Sequence, residues 1–320
     1  MIKITQPSID LSVSADVIII GGGPAGMSAA LVLGRARRDV IVIDEELPRN
    51  RVTGHSHGFL TQDGVAPAEL RRAAREQIAA YPSVAFVQDR AVRAEGVDGR
   101  FEVTSISGRT YRARKLLFAV GMQDLPIELE GLQDVYGKSA FVCPYCDGWE
   151  MRDRPIAIIA SSAHAMHLTR VVSGWSDDIA LFVHGEGEAL SDGDKELLRG
   201  KGVPVYESPI VRISSEAGQT RAIVLEDGTE VARTAIFFAP KLAPGSELPA
   251  VLGCAVTESG AMAVDEFGRS DVSGVFGAGD GASQKYQVAA AVAAGSMAAV
   301  MINSDLLEAD WESRSAVPNR

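Results

Sequence analysis

Cysteine is scarce in this chain, with 3 in 320 residues. A disulfide scaffold needs more than that, so the fold must rest on burial rather than on cross-links. A structural zinc site would want four ligands. No second Cys-x-x-Cys is present, and Cys254 has no histidine near it in sequence, so no metal is expected. Basic charge is also in deficit: 31 Lys and Arg against 42 Asp and Glu leave a net −11. That balance argues against nucleic acid or an anionic membrane as the main partner. Long apolar runs are missing too. Residues 16–20 and 288–302 are short or broken by polar residues and glycine, so no membrane-spanning segment is expected. The first residues lack a basic region followed by a hydrophobic run, so no secretory leader is expected and a cytoplasmic setting follows. In that setting a Cys-x-x-Cys pair is more often catalytic or metal-binding than structural.

What is present is a large apolar fraction, 46% of the chain, enough for a sizeable core and, at this length, for two domains. Residues 15–20 form a β-branched run that reads as a buried strand. Gly21-Gly22-Gly23-Pro24-Ala25-Gly26 follows, then a small-residue helix over 27–37 and a second buried strand over 40–43, ending at Asp44. This is one βαβ unit of parallel sheet. Residues 84–115 read as short antiparallel strands with turns at Asp98-Gly99 and Ser107-Gly108, and 116–120 as another buried strand stopped by Gly121. A second strand–helix–strand unit is expected at 156–160, 163–173 and 179–183, with strands following at 203–213, 222–226 and 235–239. Pro240, Pro244 and Pro249 suggest a linker, and an Ala-rich helix is expected over 287–307. One domain is thus expected to be split by an inserted one.

Two glycine motifs carry binding chemistry. Gly21 permits a tight turn, Gly23 lets backbone approach a pyrophosphate, and Gly26 lets the helix press on the strand. The phosphates would lie on the helix N-terminus, where free N–H groups favour an anion. Asp44, 18 residues after Gly26, is placed to accept hydrogen bonds from an adenosine ribose. Gly277-Ala278-Gly279-Asp280 lets the chain pass close to a bulky cofactor, although a plain strand-to-turn bend reads the same way.

Two of the three cysteines fall in Cys143-Pro144-Tyr145-Cys146, followed by Asp147 and Gly148. Two thiols at this spacing can close a small ring and cycle between dithiol and disulfide. Thiol exchange passes through a mixed disulfide, so one sulfur must face the substrate and the other must resolve it. The neighbouring Asp147 could move the proton each half-cycle needs, if it is not merely a turn residue. Trp149 reads as a packing residue, and Tyr145 as either packing or substrate entry. His164 and His167, three apart on a helix, read as a solvated or packed pair rather than a proton or metal site.

The order of GGGPAG (21–26), LLFAVG (116–121), CPYCDG (143–148) and GVFGAGD (274–280) resembles the low-molecular-weight thioredoxin reductase family of FAD flavoproteins over nearly the whole chain. The resemblance implies FAD, a homodimer and an α/β fold of two Rossmann-like, three-layer domains. The FAD-binding domain would take residues 1–124 and 244–320. A lobe resembling a pyridine-nucleotide domain and carrying the Cys-x-x-Cys would occupy 125–243. By position, Gly21, Gly23, Pro24, Ala25 and Gly26 would hold the pyrophosphate and Asp44 the ribose. Val92 would touch the adenine through its backbone, and the loop 55–59, with His55, would lie beside the isoalloxazine. Arg51, Gly121 and Gly279 are further cofactor contacts. Asp280 would hold a ribityl hydroxyl, and the helix N-terminus at Gln287 and Val288 would face the reduced flavin. Cys146 would be the flavin-facing sulfur, Cys143 the exchanging one, and Asp147 the acid/base. His55 or His57 could be an auxiliary base, or simply pack or bond to the flavin.

One part of the family pattern is missing. Relatives that use NADPH carry a second glycine-rich turn and a basic cluster for the 2′-phosphate. Here that turn reads Ile159-Ala160-Ser161-Ser162-Ala163-His164-Ala165, with no glycine, and His184-Gly185-Glu186-Gly187-Glu188 puts carboxylates where arginines are expected. Side chains crowd the pyrophosphate path, and an acidic loop repels a phosphate dianion. The expectation is an NADPH-independent dithiol oxidase, similar to the branch that closes disulfides in natural products of the gliotoxin, holomycin and romidepsin type. Its partners would be a small-molecule or peptide dithiol and dioxygen. The alternatives are an NADPH- or ferredoxin-dependent disulfide reductase and a non-catalytic flavin redox sensor.

Overall fold

The computed structural model describes residues 14–125, 127–185, 189–283 and 285–313. It opens with the expected unit: β1 (Ala15–Ile20), α1 (Pro24–Arg35) and β2 (Val40–Asp44). β1 and β2 run parallel, with Val17 opposite Val40 and Ile20 opposite Ile43. Both strands are apolar at nearly every position because both faces of this sheet are covered. α2 (Pro67–Ile78) then crosses back to β3 (Val84–Gln88), which pairs parallel to β2. This corrects the expectation of an antiparallel strand at 84–88. A crossover helix precedes it, and that helix, carrying three arginines and two glutamates, showed too narrow an apolar stripe to be recognised. β4 (Ala91–Val97), β5 (Arg100–Ser105) and β6 (Thr110–Phe118) form the expected meander, with Gly99 and Gly108 at positive φ in its turns. β6 is one continuous strand rather than two. Its first half pairs antiparallel to β5, and its second half lies parallel to β1.

β7 (Met122–Asp124) leaves this sheet, and the chain continues through α3 (Leu132–Val135), β8 (Ala140–Phe141) and α4 (Pro144–Asp147). β9 (Ile156–Ala160), α5 (Ser162–Val172) and β10 (Ile179–Val183) make the second βαβ unit. α6 (Asp192–Gly200), not foreseen in the sequence, and β11 (Val205–Tyr206) extend it. β12 (Ile210–Glu216), β13 (Gln219–Leu225) and β14 (Glu230–Ala232) form a separate antiparallel sheet, and β15 (Ala235–Phe238) returns beside β9. The order β11-β10-β9-β15-β8 is parallel throughout. β16 (Leu242–Pro244) then pairs antiparallel with β7, so the proline-marked linker and the outgoing segment form a two-stranded ribbon between the two large sheets.

The chain ends with α7 (Leu248–Val251), β17 (Val275–Gly277) and α8 (Val288–Ser313). β17 pairs with β6, which places residues from both ends of the chain in the first sheet. α8 presses against α1 so closely that a Cβ on Gly295 would overlap the backbone of Ala25. The same contact is tied by Ser28 Oγ donating to Val292 O at 2.8 Å. By length and composition alone α8 is long and apolar enough to cross a bilayer, contrary to the expectation that its run is too short or broken. In the fold, its Ala291, Ala298, Ala299, Ile302 and Leu306 are buried in the core between α1 and the first sheet.

Candidate active site

α4 starts at Cys143, whose extended backbone hands over to Pro144 in the first turn, where a missing N–H costs nothing. Cys143 O accepts from the amides of Cys146 (3.0 Å) and Asp147 (3.2 Å), which folds the two sulfurs together, and they are joined as a disulfide. Gly148 is required here: a Cβ would strike Pro144 O and come within 2.7 Å of the Trp175 ring. Trp175, not Trp149, therefore fills the space under the helix, and Tyr145 meets it edge-on at 5.4 Å. Trp149 is 65% exposed, with Arg152 stacked 4.1 Å from its ring, so the expectation that it packs inward is overturned. Tyr145 is 68% exposed.

The loop that follows residue 52 meets α4. Its shape is fixed by the Ser56 amide to Val65 O (2.9 Å), by Gly58 N to Asp63 Oδ1 (2.8 Å) and by a His55 Nδ1 contact with Gly64 O at 2.9 Å. His57 faces the segment that leaves α4, with Nε2 3.6 Å from Glu150 Oε1 and Nδ1 3.7 Å from Asp63 Oδ1. Asp147 lies in the same cluster. Burial pushes its carboxyl up to about 7, with Glu150 adding to the rise and His57 opposing it. A carboxyl held there sits in the range where proton transfer at neutral pH is efficient.

The glycine turn after β1 builds a concave cradle. Gly21 has φ +103°, and a Cβ on Gly26 would overlap Gly21 O. A Cβ on Gly23, by contrast, would meet nothing within 4 Å, so open space lies directly at the N-terminus of α1. Pro24 opens that helix and no side chain caps it. Ala25 is buried beneath the turn, and Gly279, at φ +76°, packs so near that its Cβ would lie 2.8 Å from that of Ala25. Asp44 closes β2 behind Gly22, its Oδ2 accepting from Arg71 Nη2 at 3.1 Å. Val92 sits where the β4–β5 register slips between Ala91 and Arg93, which frees its backbone from the ladder. Gly121 has φ +65° and its O accepts from Gly245 N at 3.0 Å. Gln287 precedes α8 and its carbonyl accepts from Ala291 N at 2.9 Å. FAD needs an anion seat, a ribose acceptor and a slot for a large ring. The open helix end at Gly23, the carboxylate at Asp44 and the close-packed glycines fit those needs. Gly26→Ala is expected to yield protein that purifies without flavin or fails to fold, checked by the flavin-to-protein absorbance ratio and circular dichroism.

Arg51 is exposed and donates to Pro48 O at 3.0 Å. Arg49 of the same turn points inward and forks onto Asp124, Nη2 to Oδ1 at 2.6 Å, with Asp280 Oδ2 at 3.9 Å and the Tyr286 ring 5.3 Å away. Tyr136 donates to Asp124 Oδ2 at 2.6 Å and meets Phe238 edge-on. Burial pushes the Tyr136 hydroxyl up, and Asp124 adds to the rise. Burial also raises the Asp280 carboxyl, against the pull of Arg49. Neither Arg49, Asp124 nor Tyr136 was legible in the sequence, because the partners lie far apart along the chain and follow no motif.

In the second sheet the turn after β9 is closed by side chains: Ser161 Oγ and His164 Nδ1 lie 3.2 Å apart at the start of α5. His184 N donates to Ala160 O at 3.0 Å, and burial pushes its imidazole down. Glu186, Gly187 and Glu188 lie outside the described residues. His164 and His167 are exposed.

Residues 15–298 match the family model of the pyridine nucleotide-disulphide oxidoreductases. A probable thioredoxin reductase of Arthroderma benhamiae is 39% identical over 197 residues, 60% of this chain and 49% of that protein, so the chain spans about half of that relative's length. Thioredoxin reductase tcpT of Claviceps purpurea is 32% identical over 306 residues, covering 91% of this chain and 94% of the relative. The crystal structure of HlmI superposes with a TM-score of 0.88 at 34% identity, over 94% of this chain and 95% of that one. The chain belongs to the pyridine nucleotide-disulphide oxidoreductase family, as a thioredoxin reductase-like, FAD-dependent thiol–disulfide oxidoreductase.

Proposed function

We propose that this flavoprotein oxidises a dithiol to a disulfide and passes the electrons to dioxygen, without NADPH. The observation that carries this reading is the turn between β9 and α5. Where a nucleotide-binding lobe needs bare backbone, Ser161 and His164 stand bonded to each other at the helix start. The redox end, by contrast, carries the Cys143–Cys146 disulfide beside a partly buried Asp147.

The chain's own residues account for the exchange. A substrate thiolate attacks Cys143 Sγ, the Cys143–Cys146 bond breaks, and Cys146 leaves as thiolate. The second substrate thiol attacks the substrate sulfur of the mixed disulfide, and Cys143 leaves. Asp147 takes up a proton as these thiols ionise. FAD, when bound, supplies the two-electron acceptor that returns the pair to its disulfide and delivers the electrons to dioxygen as hydrogen peroxide. The net change is a dithiol and dioxygen giving a disulfide and hydrogen peroxide.

Within this reading the FAD-binding domain takes residues 1–124 and 244–320, and the inserted lobe takes 125–243. The cradle of Gly21, Gly23, Pro24, Ala25 and Gly26, with Asp44, Val92 and Gly121, holds the nucleotide end. Gly279, Asp280, Gln287, Val288 and the His55 loop hold the flavin end, and Arg49 replaces Arg51 as the inward-facing cation of its turn. The substrate is a small-molecule or peptide dithiol. The working unit is a cytoplasmic homodimer, and the exposed Met297, Val300, Leu307 and Trp311 on α8 offer it an apolar contact face.

The relatives' names keep a thioredoxin reductase, here one drawing electrons from NADPH, as the second reading. Purified protein in air with dithiothreitol is expected to make peroxide at the same rate with and without NADPH. Rapid NADPH consumption, with no peroxide from the dithiol alone, would favour the reductase.

A further inference from the structure

Both chain crossings between the two large sheets run through the β7–β16 ribbon, three residues on each strand. A two-stranded ribbon this short is a weak joint, and Pro244 brings no N–H to it. A polar cluster closes over that joint. Arg49, from the turn after β2, grips Asp124 at the end of β7: Nη2 lies 2.6 Å from Oδ1, and Nε lies 3.1 Å from both carboxylate oxygens. A planar guanidinium forked onto a carboxylate resists rotation as well as separation. Tyr136 comes from the other side. Its ring packs against the core of the second sheet, edge-on to Phe238 at 5.3 Å, and its hydroxyl donates to Asp124 Oδ2 at 2.6 Å. The next residue fits as closely, since a Cβ on Gly137 would overlap Val52 O. Asp124 is held from both lobes at once, and its side chain is only 12% exposed, so water competes little for these bonds. Arg49 Nη1 also faces Asp280 Oδ2 at 3.9 Å, which sets the cluster beside the residues proposed to hold the flavin end.

We propose that Arg49, Asp124 and Tyr136 form a latch that holds the cysteine-bearing lobe against the cofactor-binding domain through the whole redox cycle. Asp124 and Tyr136 are then positioning residues: they touch neither substrate nor cofactor, and they keep the Cys143–Cys146 pair in one placement relative to the flavin cradle. The latch joins a turn of one lobe, the connecting ribbon and the core of the other lobe, so no smaller set of contacts spans the joint in the same way. The inference rests on the proposed dithiol oxidation. A cycle with a dithiol at one end and dioxygen at the other gives the lobe no second position to visit, and transfer between sulfur and flavin is fastest from one fixed geometry.

Tyr136→Phe is the test, because it removes one hydroxyl and leaves the ring against Phe238. Flavin bleaching of the FAD-containing protein by dithiothreitol is followed without air and without NADPH, over a range of dithiol concentrations. The limiting rate is expected to fall about tenfold or more, with the half-saturating dithiol concentration and the flavin-to-protein ratio unchanged. Asp124→Asn is expected to slow it further, since it weakens the grip of Arg49 as well. A limiting rate equal to wild type in Tyr136→Phe would overturn the latch, even if that variant lost stability or flavin. Hydrogen exchange gives a second reading that needs no turnover. The Leu125 amide donates to Lys241 O at 2.8 Å beside the ribbon, and its exchange is expected to quicken about tenfold in Tyr136→Phe. Unchanged exchange would overturn the latch by itself. Failure of the wild type to bleach would instead sink the proposed dithiol oxidation, and the exchange measurement would still decide the latch.

Discussion

Replacing either cysteine of the motif with serine is expected to abolish dithiol oxidation, to below about one part in a thousand of the wild-type rate, while the protein keeps its flavin. The two losses have different causes. Cys143→Ser removes the sulfur that forms the mixed disulfide, so no substrate bond forms. Cys146→Ser lets no disulfide exist to be attacked. Neither position touches the cradle around Gly23 and Asp44, which lies on the first sheet, whereas the pair sits on α4 after β8. Because serine is nearly isosteric and α4 is held by backbone bonds from Cys143 O, both variants are expected to fold. Turnover is read as peroxide, flavin content as absorbance. Full dithiol oxidation by either variant would exclude the exchange mechanism.

The second large effect is expected at Asp147. Asparagine there keeps the shape and removes the proton, so turnover falls by about a hundred- to a thousandfold with FAD still bound. The pH dependence gives the sharper reading. Burial holds this carboxyl at about 7, above its ordinary value of 3.8. As a base it acts when ionised, so the wild-type kcat/KM rises as pH climbs through about 7, and that limb disappears in Asp147→Asn. The stability consequence has the same origin. A raised carboxyl pKa means the fold favours the protonated form, so stability is lost as pH rises from the ordinary carboxylate range to about 7 and is level above that. The asparagine variant escapes this loss, so its thermal midpoint relative to wild type is expected to be higher at pH 8 than at pH 4. Equal differences at the two values would show that the carboxyl is not held up by the fold.

What could be read in the sequence follows from how local each signal is. β1, β2, β9 and β10 are nearly continuous apolar runs, because parallel strands are buried on both faces, and they lie where expected. The glycine turn was legible because each glycine answers a steric demand, as the overlap of a Gly26 Cβ with Gly21 O illustrates. α2 escaped notice because only Pro67 and Ile78 are buried on it, so its charge dominates its pattern. The sequence pattern of β6 reads as two strands because its halves serve different partners and the first alternates between buried and exposed residues. At the site, Cys143, Cys146 and Asp147 stand adjacent in sequence and could be found. Glu150 could not, because its meaning comes from His57, a residue of a distant loop. The Arg49–Asp124–Tyr136 cluster is the same case: its bonds join a turn, a linker strand and the far lobe, and no window of sequence contains them. The hydrophobicity of Trp149 suggests burial, but Gly148 opens the space beneath α4 to Trp175 instead.

The direction of electron flow is tested most directly by mixing the oxidised protein, without air, with a small dithiol in one vessel and with NADPH in another, and following the flavin absorbance. Bleaching by the dithiol and none by micromolar NADPH is the expected result. Rapid bleaching by NADPH would contradict it, because electrons would then enter through the lobe whose turn Ser161 and His164 close.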